Sequence, residues 1–536
     1  MLLQTSLQNP NVSVSLSSSL SYSRSLPCRN PTCTIRQSVN YQSFSVTCSI
    51  SQVHSYGTVD FERRPLLKWN AIYKRISLME NPELGSGSVL NQWEKEGKLL
   101  SKWDLCRVVK ELRKYKRFDR ALEVYDWMNS RVERFRLSSS DAAIQLDLIA
   151  KVRGIAVAES FFFSLSETSK DRRIYGALLN AYVRGKMKQK AESLLDQMRT
   201  KGYASHSLPF NVMMTLYMNL KDYEKVELVV SEMVKRSIRL DIYSYNIWLS
   251  CRGSQGSAEK MEEVFEQLKT DKSINPNWTT FSTMATMYIK MGQIGKAEEC
   301  LRKVESRITG RDRIPYHYLL SLYGSIGNKE EIYRVWNVYK SIYPNIPNLG
   351  YHAIISSLLR VDDVEGSEKI YEEWLLVKST YDPRIANLFM VYYTRKRYLE
   401  KALNFVDHIV EVGGKPNSAT WETLAEGHAG EKKIPEALFY WKKAFAAEGS
   451  KNWRPKPVNV SAFLDLCEQE NDLESKDVLV KLMRDSGNLG GEWYASIAGL
   501  SPEANNDNGI ASEEGSFSTD DNDDDKDESE MVLNQL

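Results

Sequence analysis

The sequence predicts an all-α solenoid of stacked helical hairpins, each about 35 residues long, and three observations carry that expectation. An aromatic ring recurs at Tyr175, Phe210, Tyr245, Phe281, Tyr316 and Tyr351, spaced 35, 35, 36, 35 and 35 residues apart, and the register runs on through Ala386 and Trp421. Sixteen residues after each of these eight positions stands a small or apolar residue: Ala191, Val226, Met261, Ala297, Ile332, Ser367, Ala402 and Ala437. Helix-breaking residues fall between the two landmarks and again at the end of each period. Self-similarity at such a period is the mark of a repeat architecture.

Each landmark opens an amphipathic stripe. In Tyr175-Gly-Ala-Leu-Leu-Asn-Ala-Tyr182 and in Ala191-Glu-Ser-Leu-Leu-Asp-Gln-Met198 the apolar residues fall at helical spacing on one face. The period is therefore two helices of about 12 residues, joined by a turn that often holds glycine (Gly185, Gly256, Gly292, Gly327). Gly202, Pro276, Pro344, Asp382 and Pro416 lie in the closing turns. One hairpin cannot bury its apolar surface on both sides, so successive hairpins must stack into a superhelix. Eleven units start near residues 102, 139, 172, 207, 242, 278, 313, 348, 383, 418 and 457, and the irregular outer ones suit capping positions.

The flanks differ from the array. Residues 1–59 contain no Asp or Glu, and the first 50 hold 13 Ser with Arg24, Arg29 and Arg36. Such a segment cannot form a core and reads as an organelle transit peptide, the alternative being a disordered tail that is retained. Ser45-Val46-Thr47-Cys48-Ser49 resembles a stromal processing site and points to the chloroplast, with the mitochondrion as the alternative. Residues 60–101 read as a helical leader, 102–487 as the array and 488–536 as a disordered acidic tail. From residue 502 onward twelve acidic residues face the single Lys526; the remainder holds 70 basic and 58 acidic residues, a balance suited to a polyanionic partner.

Several classes are disfavoured. No window approaches the roughly 18 uninterrupted apolar residues of a membrane-spanning helix. Cys28, Cys33 and Cys48 lie in the N-terminal segment, and Cys106, Cys251, Cys300 and Cys467 are scattered without metal-ligand spacing. His206, His317, His352, His408 and His428 have no clustered Cys or acidic partners, and neither a phosphate-binding glycine loop nor a nucleophile motif stands out. No metal, cofactor, small-molecule substrate, membrane partner or catalytic residue is expected.

Two hairpin repeats come near this length. The tetratricopeptide type wants a small residue in the first helix and another late in the second, where this chain has Leu179 and Thr215, then Met198, Met233, Leu268 and Val304. Pro209-Phe-Asn211, Ser244-Tyr-Asn246, Lys415-Pro-Asn417 and Gln197-Met-Arg-Thr-Lys-Gly202 instead resemble the pentatricopeptide repeat family across residues 100–487. The leader, with Tyr73-Lys-Arg-Ile-Ser and Val89-Leu-Asn-Gln-Trp93, resembles that of a plant organellar P-type subgroup without an editing domain. This resemblance implies a right-handed superhelical solenoid of helix-turn-helix repeats that binds single-stranded organellar RNA, with other RNA-processing proteins as further partners.

The resemblance also implies which residues read bases: the one after the aromatic, paired with the last residue of the unit. Carried over, the pairs are Asn211 with Asp241, Asn246 with Asn277, Ser282 with Asp312, and Asn387 with Asn417, favouring U, C or U, G, and C or U. Leu208 and Tyr243 would wedge between bases. His317 with Pro347 and His352 with Asp382 fall outside the family's code and fit either histidine readers or spacer units. The implied target is 5′-U-Y-G-N-N-Y. Cys106, Ala143, Gly176 and Glu422 are poor readers at the outer units. Each Asn or Asp, taken singly, is also an ordinary helix cap. A protein scaffold on the same solenoid is the alternative function.

Overall fold

The computed structural model describes residues 68–79, 84–309, 312–378, 381–447 and 453–486. The expected transit segment and acidic tail lie outside these residues. Among the described residues there are 24 α-helices and no strand, and no helix is long and apolar enough to cross a membrane.

The chain divides into two compact units, Met1–Ser130 and Arg131–Leu536. In the first, α1 (Lys68–Ser77) and α2 (Gly85–Lys95) form a hairpin, as do α3 (Lys102–Lys114) and α4 (Phe118–Asn129). The two hairpins stack, α1 on α3 and α2 on α4. Ile72, Ile76, Leu90 and Trp93 are buried with Leu105, Val108, Leu112 and Tyr125. The leader thus carries a repeat-like hairpin of its own, although it lacks the ring landmark of the array. Polar bonds pin it: the Trp127 indole N–H donates to Asn91 Oδ1 at 2.8 Å, and the Ser86 amide donates to Glu123 at 2.5 Å.

The second unit holds ten hairpins: α5 (Ser139–Val152) with α6 (Ile155–Ser164), α7 (Arg172–Arg184) with α8 (Lys188–Thr200), and α9 (Ser207–Asn219) with α10 (Tyr223–Lys235). Then come α11 (Ile242–Ser254) with α12 (Ala258–Thr270), α13 (Trp278–Lys290) with α14 (Ile294–Glu305), and α15 (Ile314–Ser325) with α16 (Lys329–Ile342). The last four pairs are α17 (Asn348–Arg360) with α18 (Val364–Val377), α19 (Pro383–Arg395) with α20 (Leu399–Glu411), α21 (Ser418–Gly430) with α22 (Ile434–Ala446), and α23 (Pro457–Gln469) with α24 (Leu473–Asp485). Each first helix packs on its own partner and on the first helix of the next pair, from α5 through α23. The fold is an all-α solenoid, and its first helices form one continuous row.

The two periodic landmarks build the core. The six rings from Tyr175 to Tyr351 are all buried, and the eight residues sixteen positions later are each 0% exposed. A larger residue at Ala191, Ala297 or Ala402 would have no space to enter, since cores are close-packed. Ser367 fits the same slot because its hydroxyl donates back to the Val364 carbonyl at 2.7 Å.

A polar clasp repeats between neighbouring hairpins. Tyr217, Tyr288 and Tyr393 in first helices donate their hydroxyls to Glu192, Glu262 and Glu368 of the preceding second helix at 2.8, 2.7 and 2.8 Å. Lys225 and Lys296 reach Glu192 and Glu262 from the next second helix. From α3 onward the turns within hairpins each use one left-handed residue, glycine at Gly154, Gly256, Gly292 and Gly327 but Lys116, Lys186, Lys221, Asp362, Arg397, Lys432 and Asn471 elsewhere. Gly185 is not the left-handed residue of its turn. A Cβ there would lie 2.3 Å from Ile155 Cδ1, so close approach accounts for this glycine.

Candidate nucleic-acid interface

The paired positions sit where the row of first helices meets the helix N-termini of the following units. Asn211 lies one turn into α9 and is 6% exposed. Asp241, thirty residues on, is the N-cap of α11, its Oδ1 accepting from the Ser244 amide at 2.8 Å. The two meet: Asn211 Nδ2 donates to Asp241 Oδ1 and Oδ2 at 3.0 and 3.2 Å. The Ser244 hydroxyl closes a three-residue ring by donating to Asn211 Oδ1 at 2.6 Å, and Ser207 donates to Asp241 Oδ2 at 2.5 Å. Burial opposes the charge on Asp241, but the bonds from Ser207, the Ser244 amide, Asn211 and the Ser244 hydroxyl outweigh it and hold this carboxyl below its usual range.

Asn387 and Asn417 repeat this arrangement. Asn387 Nδ2 donates to Asn417 Oδ1 at 3.2 Å and the Thr420 hydroxyl donates to Asn387 Oδ1 at 2.7 Å, with Asn417 capping α21. Asn246 and Asn277 are joined through an intermediary: Asn246 Nδ2 donates to Thr279 Oγ1 at 2.9 Å, and that hydroxyl donates to Asn277 Oδ1 at 2.6 Å. Asn246 Oδ1 is enclosed and has no hydrogen-bond partner among the described residues.

The other pairs are not joined. The Ser282 hydroxyl donates to the Thr279 carbonyl at 3.0 Å, while Asp312 Oδ1 accepts from the Ile314 amide at 3.0 Å. His317 is 5% exposed, its Nε2 3.0 Å from the Tyr339 hydroxyl. Burial, with the charges of Arg313 and His352 beside it, lowers its pKa to about 4, so the ring is neutral near pH 7. Asp382 caps α19 and accepts from Asn348 Nδ2 at 3.2 Å and from Arg384 Nη2 at 2.7 Å. His352 is half-buried on the same row. Of the expected wedges, Leu208 is 36% exposed and Tyr243 is half-buried; each is the second residue of its helix. Arg384 occupies that place in α19.

Glu422 is the outlier of the row, 2% exposed and accepting from the Lys456 amide at 2.6 Å and from Asn459 Nδ2 at 3.1 Å. Burial raises its pKa to about 7, against the Lys456 and Asn459 contacts. At the outer unit of residue 172, His206 is held below its usual pKa by burial and by the charge of Arg172.

Sequence reasoning did not single out Ser207, Ser244, Thr279, Asn348, Arg384 or Thr420. The available signal was a hydroxyl residue 33 positions after each of the three asparagines. What the row offers is a series of amide groups, each with donor and acceptor capacity left over, beside helix caps that are charged at Asp241 and neutral at Asn277 and Asn417. Among the described residues no group of three or more His, Cys, Asp or Glu could hold a metal ion.

Comparison with known proteins identifies the repeat. A pentatricopeptide repeat domain model matches residues 228–291, and a PPR repeat model matches residues 173–203, 209–238 and 279–307. A pentatricopeptide repeat-containing protein of Arabidopsis thaliana is 62% identical over 497 residues, 93% of this chain and 94% of the relative. A second from the same plant, designated mitochondrial, is 36% identical over 79% of this chain and 86% of its own length. The solved structure of the pentatricopeptide repeat protein PPR10 in complex with an 18-nucleotide psaJ RNA element is 16% identical, with a TM-score of 0.42, over 84% of this chain. This chain spans 65% of that one, just under two thirds of its length.

Proposed function

The chain belongs to the pentatricopeptide repeat family, and from that premise we propose that it binds single-stranded RNA sequence-selectively in an organelle. It supports transcript processing, stability, splicing or translation without chemistry of its own. The observation that carries this reading is the convergence of side chains thirty residues apart: Asn211 on Asp241 and Asn387 on Asn417. A solenoid core does not require polar pairs on its first-helix row, whereas unstacked bases are read by such groups on their Watson–Crick edges. Leu208 and Tyr243 stand one turn before their readers, where a side chain can lie between successive bases.

In this reading the units from residue 207 to 417 contact the sequence 5′-U-Y-G-N-N-Y. The two undefined nucleotides face His317, which is turned inward onto Tyr339, and His352, whose neighbouring cap Asp382 is engaged by Arg384 and Asn348. The N-terminal Ser-rich, acid-free segment supports import, with the chloroplast as the proposed destination; curated relatives include mitochondrial members.

Mapping RNAs crosslinked to the protein in isolated organelles, with Asn211→Ala and Asn246→Ala in parallel, tests the proposal. One enriched footprint containing U-Y-G, weakened by either change, supports it. Recovery of specific protein partners with no RNA enriched over a control would favour a scaffold.

A further inference from the structure

An asparagine amide turned through 180° exchanges donor for acceptor with little change in shape, so a base-reading asparagine is selective only if something fixes its direction. In all three asparagine units the following helix does so. A cap's side-chain oxygen must accept from a backbone amide: Ser244 to Asp241 at 2.8 Å, Thr280 to Asn277 at 3.2 Å, Thr420 to Asn417 at 3.0 Å. That obligation makes the cap oxygen an acceptor toward its other neighbours. Asn211 and Asn387 must then turn Nδ2 toward it, and the Ser244 and Thr420 hydroxyls complete the hold on Oδ1. At Asn246 the same polarity is passed on by the Thr279 hydroxyl, which donates to the cap and therefore accepts from Nδ2.

The spacing is 33 residues in every case, Asn211 to Ser244, Asn246 to Thr279 and Asn387 to Thr420. It persists although the unit starting at residue 242 is one residue longer, which moves the hydroxyl from the third helical position to the second. The corresponding residues after Ala143, Gly176, Ser282, His317, His352 and Glu422 are Gly176, Pro209, Pro315, Gly350, Ile385 and Pro455, none with a hydroxyl; Ser139, after Cys106, has one but donates it to the Asp171 cap. From the unit starting at residue 139 onward, the hydroxyl thus accompanies the asparagine and not the repeat.

We infer that Ser244, Thr279 and Thr420 are positioning residues for base selection: each locks its asparagine amide so that a fixed donor-and-acceptor edge faces a pyrimidine of single-stranded RNA. This rests on the RNA-binding reading above. Without the hydroxyl, Asn246 loses its only link to the cap, while Asn211 and Asn387 keep the cap bond but lose the hold on Oδ1; the amide turns more freely and accepts either hydrogen-bonding pattern more readily, so discrimination falls more than affinity.

The test uses the full chain with Thr279→Val and Thr420→Val, each paired with its Thr→Ser counterpart, titrated against synthetic RNAs carrying each of the four bases at the aligned nucleotide. One orienting hydrogen bond corresponds to about a fivefold change. Each valine variant is expected to lose about that much of its pyrimidine-over-purine ratio at its own nucleotide, with the preference at the G position unchanged and the serine variants restored. An equal loss for all four bases, or an unchanged ratio, overturns the positioning role while leaving RNA binding intact. A wild-type chain that binds none of the RNAs overturns the reading beneath it.

Discussion

Glu422 ties the stability of the last hairpins to pH. It is 2% exposed in α21, with a carboxyl pKa lifted from 4.5 to about 7 by burial and by the nearby Glu426, against the bonds from Lys456 and Asn459. The native state therefore keeps this proton where the unfolded chain has lost it. The contribution is complete below pH 4.5, the unfolded value, and is lost as pH rises through about 7. At about 1.4 kcal/mol per unit of difference, the change amounts to at most ~3.5 kcal/mol. Glu422→Gln keeps an acceptor for Lys456 and Asn459 and removes the titration. Because a solenoid unfolds in segments, the assay is amide hydrogen exchange across α21 to α23 at pH 6 and pH 8, corrected for intrinsic exchange rates. Wild-type protection should fall between the two pH values, while the glutamine variant should stay level and be the better protected at pH 8. Equal pH dependence in both proteins would refute the argument.

Three further outcomes are expected. Asn211→Ala should weaken binding to RNA containing U-Y-G by roughly fivefold, about one net hydrogen bond, measured by fluorescence anisotropy, with less effect on RNA already mismatched at that U. Gly253→Ala should destabilise the packing of α11 on α13 by about 1–3 kcal/mol in denaturant unfolding, because the new Cβ would lie 2.3 Å from Met287 Cγ. Deleting residues 503–536 should leave the far-UV circular dichroism of the array intact and tighten nonspecific RNA binding at low salt, an effect that fades as salt is raised; unchanged affinity would exclude competition by the acidic tail.

The periodic core was readable because packing repeats strictly: a ring and a small residue must recur for each hairpin to seat on the next. The Tyr217–Glu192 clasp was not, since its partners lie 25 residues apart and belong together only once the stacking of second helices on later first helices is known. Gly185 looked like a turn glycine, and only the position of Ile155 explains it. The hairpin of α1 and α2 escaped the period because, although its helices start 34 and 33 residues before α3 and α4, the leader lacks the recurring ring. Among the reader positions the sequence could pair Asn211 with Asp241 by resemblance, and a hydroxyl 33 residues after each asparagine marks the further partner, but the direction of the bonds that orient the amide depends on which cap oxygen the backbone claims, which spacing does not carry.

That last dependence bears on what these positions can become. Asp241, Asn277 and Asn417 terminate helices and also face readers, so each is chosen under two constraints at once. Helix caps favour Asp, Asn, Ser and Thr, and replacement by alanine costs about 1 kcal/mol. A change at a cap that alters base preference without weakening its helix must therefore stay within this short alphabet, and the change from aspartate to asparagine is the least costly. In a stacked array each cap also supports the hairpin behind it, so a local loss spreads to the neighbouring interface. Selectivity can then be altered most freely where the paired residue is neither the cap nor bonded to the reader, as at Ser282 and Asp312, whose side chains bond to separate backbone groups while Arg313 holds the N-cap position.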